Sequence, residues 1–546
     1  MRKNRVLKEL SKGIAVTLVL FAIIECSLRV AYSIRNSKVT HVPLPYVIAH
    51  DYGPIPPWLD RLMILAPDKD LIWRNRPNLH RRYIDLFSPM NTDGERISLL
   101  RRFRPTLPDS LRENPVWEIW LNSEGFRDVE VPERKRASSF RILCLGDSWT
   151  FGMSVGQEQA YPQRSGVFLR REFPEADFEV LNRGVLAYSS YQGLELLRKR
   201  LIKLNPDVLV IGFAMNDAKV VGYSDKDAAA YQKNLTSGDR IGRLLEKSET
   251  YKLLKYLALL SKYKRKSIRD HIKEETGSAG EAENEKDSEQ PESWTRWARV
   301  PPKDYEKNIL EMIRLARSHK VSVVLLYNEL WENGPYLTVL EKISRSEGVP
   351  LVDSSALIAE ARREIEKDLE RKLELEPVKT GRTHANGEIE VVFRVYLGER
   401  AVPKGIYIVG NRPKLGNFVP NNIAMYDDGT HGDQRAGDGV WTYSASFPPR
   451  TWLFYAYTNS GDEGKWEGLD VPYIREFKVE AKRNEGKVYM AIESFGRIYM
   501  QADSWHTNAD GYELIAKALL EVLKRDKKVK DYLREMNDNR SRSPVS

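Results

Sequence analysis

A serine placed to act as a nucleophile stands where an apolar run of the chain ends. Residues 140–145 are apolar apart from Arg141, and Gly146, Asp147 and Ser148 follow directly. A serine in such a turn projects from the end of a buried strand, with its backbone N–H available to an oxyanion. The tripeptide alone is weak evidence, because an ordinary Asx turn has the same composition. A catalytic interpretation therefore requires partner groups elsewhere in the chain.

Three further polar segments supply candidate partners. Gly184 follows the second apolar run and Asn216 follows the third. Asp503 and His506 lie three residues apart near the C-terminus, before a helical pattern that extends to residue 523. Four such segments in order are far rarer by chance than one tripeptide. A satisfied surface loop is therefore the weaker interpretation of Asp503 and His506.

The elements that must position these residues follow an α/β pattern. Apolar runs typical of buried parallel strands lie at 140–145, 178–182, 207–213, 322–327 and 350–353. Helical periodicity fills the gaps between them, for example at 192–204 and 303–318. Strands that alternate with helices predict a parallel sheet covered on both faces. Right-handed crossovers bring the strands' C-terminal ends to one edge, where ligands usually bind.

The four segments, in this order and after these strands, resemble those of the SGNH/GDSL hydrolases. Residues 122–127 and 146–156 also resemble one bacterial branch of that family. The resemblance covers roughly 120–360 and 495–525. It implies a flavodoxin-like, three-layer α/β fold with a parallel sheet, and it implies no cofactor.

The resemblance also implies a role for five residues. Ser148 resembles the nucleophile, His506 the general base, and Asp503 the group that orients the imidazole. The backbone N–H groups of Ser148 and Gly184 and the side-chain amide of Asn216 resemble the oxyanion hole. The implied chemistry is acyl transfer through an acyl-serine.

Two positions depart from the family pattern. Ala214 stands two residues before Asn216, and Ala187 stands three residues after Gly184, where the family usually has glycine. Neither departure removes a side chain with an implied catalytic role. We expect them to alter loop conformation only.

Residues 376–492 interrupt the α/β pattern with a β-rich segment. Its apolar and aromatic runs are separated by clusters of Gly, Pro, Asn and Asp. This spacing predicts an all-β sandwich inserted before the last helix of the α/β domain.

Part of the inserted segment resembles starch-binding, immunoglobulin-like carbohydrate modules. Such modules stack sugar rings on two exposed aromatic side chains, and Phe418 and Trp466 occupy those positions. Ala456 replaces a lysine that is usual there. The equal alternative is that both aromatics belong to a purely structural sandwich.

Three aspartates of the insert lie among glycines. Clustered carboxylates such as Asp427, Asp433 and Asp438 could bind Ca²⁺ through their oxygens. Asx turns between strands explain the same pattern and are favoured, so no metal is predicted.

The N-terminus predicts a membrane segment. Residues 1–12 are basic, the apolar run 13–24 follows, and Glu25 and Arg29 are spaced to pair in a helix. A cleaved signal peptide, a membrane span and an amphipathic soluble helix all remain open. The lack of a clear cleavage site favours an uncleaved signal anchor over 13–34. The basic flank would keep the N-terminus in the cytoplasm and the catalytic domain outside it, in the periplasm or at the cell surface.

The remaining boundaries follow from shifts in composition. The predicted units are an irregular lead-in at 35–137, the hydrolase domain at 138–375 and 493–530, a disordered insertion within it at 262–293, the β-sandwich at 376–492, and a disordered tail at 531–546. The net charge of +9 arises from 86 basic and 77 acidic residues, which are interspersed. No nucleic-acid motif accompanies this charge, so no nucleic-acid partner is predicted.

Three functions are compatible with these patterns. The first is a membrane-anchored esterase that removes an acyl group, such as acetyl, from a carbohydrate or another ester. The second is an O-acyltransferase that uses the same triad on an envelope glycan. The third is a catalytically silent glycan-binding protein on a hydrolase scaffold.

Overall fold

The structure, a computed structural model, begins with a long helix. It describes residues 2–37, 64–82, 118–262, 298–375, 387–458 and 475–542, with short gaps inside these ranges. Helix α1 (Arg2–Ser37) contains a stretch, Ser11–Ile34, that is long and apolar enough to cross a membrane. A signal sequence near an N-terminus passes the same test.

The described part of the lead-in forms two small antiparallel sheets. Strand β1 (Leu65–Asp68) pairs with β2 (Ile72–Asn75), and β3 (His80–Arg82) pairs with β4 (Glu118–Trp120). The prediction of irregular structure is wrong for these strands, because three or four residues are too few for alternation to show in the sequence. Their apolar side chains, Trp73 among them, join the core of the α/β domain.

A parallel sheet of five strands forms the centre of the molecule. The strands are β5 (Phe140–Gly146), β6 (Phe178–Gly184), β7 (Val208–Gly212), β8 (Ser322–Tyr327) and β9 (Leu351–Asp353). Their order across the sheet is β6-β5-β7-β8-β9. This second-first-third-fourth-fifth order is the flavodoxin-like one. The predicted α/β fold class is therefore confirmed.

Helices cover both faces of this sheet. In chain order the segments that follow the strands contain α2 (Ser148–Phe151), α3 (Tyr161–Glu172), α4 (Ser190–Lys199), α5 (Met215–Ala218), α6 (Asp225–Thr236), α7 (Glu249–Lys262), α8 (Pro302–Ser318), α9 (Pro335–Glu347) and α10 (Ser354–Lys372), of which α3, α4, α8, α9 and α10 pack on the sheet. Successive strand residues point to opposite faces. Leu143 and Leu145 therefore pack with α4, α8 and α9, whereas Ile142 and Cys144 pack with α3 and α10.

A β domain follows α10. Its strands are β10 (Ile389–Tyr396), β11 (Tyr407–Gly410), β12 (Ile423–Ala424), β13 (Val440–Phe447), β14 (Trp452–Thr458), β15 (Arg475–Lys478), β16 (Lys487–Tyr489) and β17 (Glu493–Ser494). They form two four-stranded sheets that share one apolar core. Because β17 pairs with β10 and Phe495 lies in this core, the predicted boundary at 493 falls inside the β domain.

The chain returns to the α/β domain in helices α11 (Ala509–Arg525) and α12 (Lys527–Arg542). The predicted disordered tail is wrong up to residue 542. The four apolar residues of α12, spaced i, i+3, i+4 and i+7, form a narrow face that packs on the core. They are Val529, Tyr532, Leu533 and Met536. The predicted disordered insertion lies, apart from Lys262, outside the described residues.

A buried ion pair joins the two ends of the segment between α5 and α8. The guanidinium of Arg299 bonds both carboxylate oxygens of Asp225, at 2.8 and 2.7 Å, and both side chains are fully buried. Arg299 also donates to the carbonyl oxygen of Ala187 at 2.8 Å and lies over the ring of Trp73. Arg299 thus connects Trp73 of the lead-in, the turn after β6 and the start of this segment at Asp225.

We predict that Arg299→Ala lowers the free energy of unfolding by about 3–5 kcal/mol, because it leaves the Asp225 carboxylate buried without its partner. Denaturant unfolding followed by tryptophan fluorescence measures this. The matched control is Arg198→Ala, which removes a half-exposed pair with Glu195 and should cost less than about 1 kcal/mol. Equal losses for the two variants would contradict the prediction.

Candidate active site

Three glycines end three adjacent strands at one level of the sheet. Gly146 is in register with Gly184 on one side and with Gly212 on the other. A Cβ atom at Gly146 would lie 2.0 Å from Thr150 Oγ1, and one at Gly184 would lie 2.1 Å from the backbone nitrogen of Phe151. The lack of side chains in this glycine row therefore lets α2 pack directly on the sheet's carboxyl edge.

Ser148 is the first residue of α2 and is almost buried. Asp147 caps the helix, since its Oδ1 accepts the N–H of Trp149 at 2.9 Å. The N–H of Ser148 lies in the first turn, where backbone donors have no acceptor within the helix. The Ser148 Oγ lies 2.8 Å from His506 Nε2. This is hydrogen-bond reach for a general base.

Asn216 approaches the same place from α5. Its Nδ2 donates to Asp147 Oδ2 at 3.0 Å. A primary amide has two hydrogens, so one remains for a ligand. Asp147 thus fixes the α5 amide relative to α2. Burial raises the pKa of Asp147 to about 6, although the bonds from Trp149 and Asn216 favour its charged form.

Gly184 does not offer its N–H freely in this geometry. That N–H donates to Asn182 Oδ1 at 3.0 Å. It would have to leave this acceptor to serve the oxyanion hole that the sequence predicts. The contact that the structure gives Gly184 is steric, with the backbone of α2.

Trp149 connects helix α2 to the loop that carries His506. Its side chain is fully buried, and its Nε1 donates to the carbonyl oxygen of Trp505 at 3.0 Å. Its ring centroid lies 6.4 Å from that of His506. Sequence reasoning missed this residue, and its only signal was a tryptophan directly after the predicted nucleophile.

The third predicted member of the triad, Asp503, lies outside the described residues. The loop after it is fixed on the other side, because Asn508 Oδ1 caps α11 by accepting the N–H of Gly511 at 3.1 Å. The structure thus brings Ser148, Asn216 and His506 together, and the role of Asp503 stays a prediction.

Ala187 occupies a turn position that suits glycine. Its φ is +60°, and Tyr188 N–H bonds the carbonyl oxygen of Val185 across the turn at 3.2 Å. Such a conformation costs an alanine on the order of 1–3 kcal/mol and persists only where neighbours impose it. The bond from Arg299 to the Ala187 carbonyl is one such contact.

Glu329, which sequence reasoning missed, is a buried acid two residues beyond β8. Its side chain is 7% exposed, and among the described residues its one hydrogen bond comes from the Leu330 N–H at 3.1 Å. Burial raises its pKa to about 8, and the nearby charge of Asp147 adds to the rise. The group is therefore mainly neutral near pH 7.

The predicted sugar-stacking residues cannot be compared with the structure. The backbone of Phe418 ends a 3-10 turn, Pro413–Phe418, but its side chain and all of Trp466 lie outside the described residues. Their role stays a prediction.

The predicted aspartate cluster of the β domain is compact. Ligand oxygens of Asp427, Asp433 and Asp438 all lie within 4.8 Å of one another and could hold a metal ion. Asp427 accepts the N–H groups of Gly437 and Gly439. These local bonds are those of the favoured turn interpretation.

Comparison with known proteins relates the α/β part to one family. Residues 144–373 match the GDSL-like Lipase/Acylhydrolase family. No curated protein matches the chain.

Several solved structures are similar to this chain at low identity. The acetyl xylan esterase AlAXEase is 13% identical over 40% of this chain and 78% of its own, with a TM-score of 0.23. A mutant of Axe2, an acetyl-xylooligosaccharide esterase from Geobacillus, is 14% identical over 41% and 80%, with a TM-score of 0.24. AlinE4, an SGNH-hydrolase family esterase, is 12% identical over 46% and 90%, with a TM-score of 0.23. At these TM-scores the similarities carry no inference on function.

We predict that the Glu329 carboxyl makes the protein less stable as the pH rises. Its folded-state pKa of about 8 lies above the ordinary value of 4.5. Its contribution to stability is therefore complete below pH 4.5 and is lost as the pH rises toward 8. Relative to Glu329→Gln, the wild-type free energy of unfolding should fall by about 4–5 kcal/mol across this window.

Denaturant unfolding at several pH values measures the difference. The control is Glu513→Gln, because ion pairs with Lys517 and Arg164 lower the pKa of that carboxyl. Relative to this control, the wild type should become more stable as the pH rises through the acid range. This change has the opposite sign to the one expected for Glu329. Parallel pH profiles for wild type and Glu329→Gln would show the prediction to be wrong.

Proposed function

We propose that the chain is a membrane-anchored serine esterase that cleaves acyl esters, acetyl esters among them, on carbohydrate; the premise is the match of residues 144–373 to the GDSL-like Lipase/Acylhydrolase family. The 2.8 Å hydrogen bond between Ser148 Oγ and His506 Nε2 carries the proposal. It joins two residues 358 positions apart in the chain. A nucleophile and a base in contact are the pair that acyl transfer needs.

The proposed reaction has two steps. Ser148 Oγ attacks the ester carbonyl carbon while His506 Nε2 takes its proton, and the alcohol leaves with that proton as the acyl-serine forms. Water then attacks the acyl-serine with His506 as base, which releases the acid and restores the serine. Asp503 is proposed to orient the imidazole and to stabilise its cation.

The oxyanion is proposed to bind the Ser148 N–H and the amide hydrogen of Asn216 that Asp147 leaves available. Both donors belong to short helices fixed to each other through Asp147. The Gly184 N–H can join them only by releasing Asn182 Oδ1.

A polysaccharide is the proposed carrier of the ester. The β domain supports this through its resemblance to carbohydrate modules and the predicted stacking residues Phe418 and Trp466. Its attachment between α10 and the histidine loop places it next to a catalytic segment in the chain.

Helix α1 is proposed to be an uncleaved anchor. Its span from Ser11 to Ile34 follows a basic N-terminal segment, which by the positive-inside rule stays in the cytoplasm. The catalytic domain would then lie outside the cytoplasm.

Burial of the site favours an O-acyltransferase as the second candidate. Ser148, Asn216 and His506 are only 6–8% exposed. An acyl-serine shielded from water has time to meet another acceptor, such as a sugar hydroxyl. The intact Ser148–His506 contact counts against the third candidate, a catalytically silent glycan-binding protein.

We predict that Ser148→Ala abolishes turnover of p-nitrophenyl acetate by the full chain in detergent, because it removes the nucleophile. Asn216→Ala should lower kcat by about 10²–10³, since it removes one oxyanion donor. Ser318→Ala, at an exposed serine, is the matched control and should keep wild-type activity. Turnover that survives in Ser148→Ala would exclude Ser148 as the nucleophile.

Product analysis separates hydrolysis from transfer. The full chain is given an acetyl ester together with a xylo- or gluco-oligosaccharide, and products are identified by mass spectrometry. We expect free acetate as the main product. Acetylated oligosaccharide that forms in wild type but not in Ser148→Ala would instead show an acyltransferase.

A further inference from the structure

One stripe of helix α1 is covered by the rest of the protein. Glu25 and Leu28 are half-buried and Tyr32 is buried, and their spacing of i, i+3 and i+7 places them on one face. The apolar side chains that precede them, such as Leu18, Leu20 and Ile24, are largely exposed. The contact therefore lies in the C-terminal part of the Ser11–Ile34 stretch, beyond the uninterrupted apolar run 13–24.

Helix α7 begins at this contact, and Glu25 provides an N-terminal cap. The Glu25 carboxylate accepts the N–H groups of Glu249 and Thr250, at 2.9 and 3.0 Å, and the hydroxyl of Ser248 at 2.8 Å. Capping groups normally come from the residue just before a helix. At α7 that residue, Ser248, accepts the N–H of Tyr251 at 3.2 Å, and Glu25, 224 positions before Glu249, adds a second cap from another helix.

Arg29 completes the contact. It pairs with the Glu25 carboxylate at 2.7 Å and donates to the carbonyl oxygen of Lys247 at 2.8 Å. A charged side chain at a membrane is costly unless it is paired and hydrogen-bonded. The contact with α7 meets that requirement for both Glu25 and Arg29.

The outward side of α7 is apolar and the helix is basic. Leu254 and Leu257 are 62% and 52% exposed. Lys252 and Lys255 lie on the same helix, and the sequence at 262–266 reads Lys-Tyr-Lys-Arg-Lys. Leucine and lysine in one amphipathic helix are typical of helices that lie in the bilayer interface, and basic tracts favour anionic lipid.

We propose that α7 is an interfacial helix that lies in the bilayer surface beside α1, with Leu254 and Leu257 in contact with lipid and its lysines near anionic headgroups. The inference depends on the proposed anchoring through α1. Because α7 is docked on the helix that is long and apolar enough to cross a membrane, lipid rather than another protein is the proposed cover of the two leucines.

The segment that carries α7 is connected directly to the candidate active site. It leaves the α/β domain after Asn216 and Asp217 and returns at Arg299, whose N–H bonds the carbonyl oxygen of Lys219 at 2.9 Å. Val300 N–H then bonds the carbonyl oxygen of Asp217.

Depth-dependent quenching of a fluorophore tests the proposal on the full chain. The exposed Cys26 is replaced by alanine, the buried Cys144 is retained, and single cysteines are introduced as Leu20→Cys, Leu257→Cys or Val129→Cys. Each is labelled with an environment-sensitive dye and reconstituted in phosphatidylcholine vesicles with or without phosphatidylglycerol. Quencher-bearing lipids should quench the 257 label several-fold more than the 129 label, and more strongly with phosphatidylglycerol.

The label at position 20 distinguishes failure of the interfacial-helix proposal from failure of the proposed anchor. If it is quenched by lipid while the 257 label behaves like the 129 label, the anchor is present and the interfacial helix is overturned. If neither the 20 nor the 257 label is quenched, the anchoring itself is wrong and this inference fails with it.

Glu25→Ala tests the docking contact, with Glu9→Ala as the matched control at an exposed position. Only Glu25→Ala should reduce quenching of the 257 label, while the 20 label stays quenched. Thermal unfolding followed by circular dichroism verifies that both variants fold. Unchanged quenching at 257 in folded Glu25→Ala would overturn the role of Glu25 in holding α7.

Discussion

Direct contact between helix α2 and the glycines that end β5 and β6 is the constraint on which the rest of the site depends. Cβ atoms at Gly146 and Gly184 would collide with α2, whereas one at Gly212, the third glycine of the row, would collide with the side chain of Asn328. Even a methyl group at Gly146 or Gly184 would push α2 away from the sheet by more than the tolerance of a hydrogen bond. The position of Ser148 relative to His506 is therefore set by backbone packing before any polar contact is made.

Buried polar side chains then fix the loops to one another. Asp147 joins α2 to the amide of Asn216, Trp149 joins α2 to the backbone beside His506, and Arg299 joins the turn at Ala187 to the stem of the next segment. Each contact links two loops that are distant in the chain. Catalytic groups are most effective when their supports are locked in this way, because little reorganisation remains for the reaction itself.

The sequence predicted the central sheet well, since parallel strands buried on both faces appear as continuous apolar runs. Strand β8 was predicted to the residue, whereas β6 extends two residues further because Arg183 and Gly184 are not apolar. The order of the site segments came from a family resemblance. Trp149, the Gly184 to Asn182 bond and Glu329 could not be predicted, because each depends on side-chain contacts that no local pattern records. The C-terminal helix was missed because its apolar face consists of only four residues in a strongly charged segment.

The two large additions to the α/β domain both adjoin segments of the candidate site. The segment that carries α7 begins just after Asn216, and the β domain ends shortly before His506. Loops at the carboxyl edge of a sheet accept insertions without disturbing the core, because their backbone is already at the surface.

Side-chain contacts hold the β domain against helix α10 of the α/β domain. Its Arg394 is nearly buried and bonds both the Met490 carbonyl oxygen within the domain and the Glu370 carboxylate of α10. Burial between the two domains raises the pKa of Glu366 to about 7, and the charge of Glu493 adds to the rise. Such contacts fix the β domain against α10. Any ligand that the β domain binds would therefore be held at a fixed position relative to the sheet that carries Ser148.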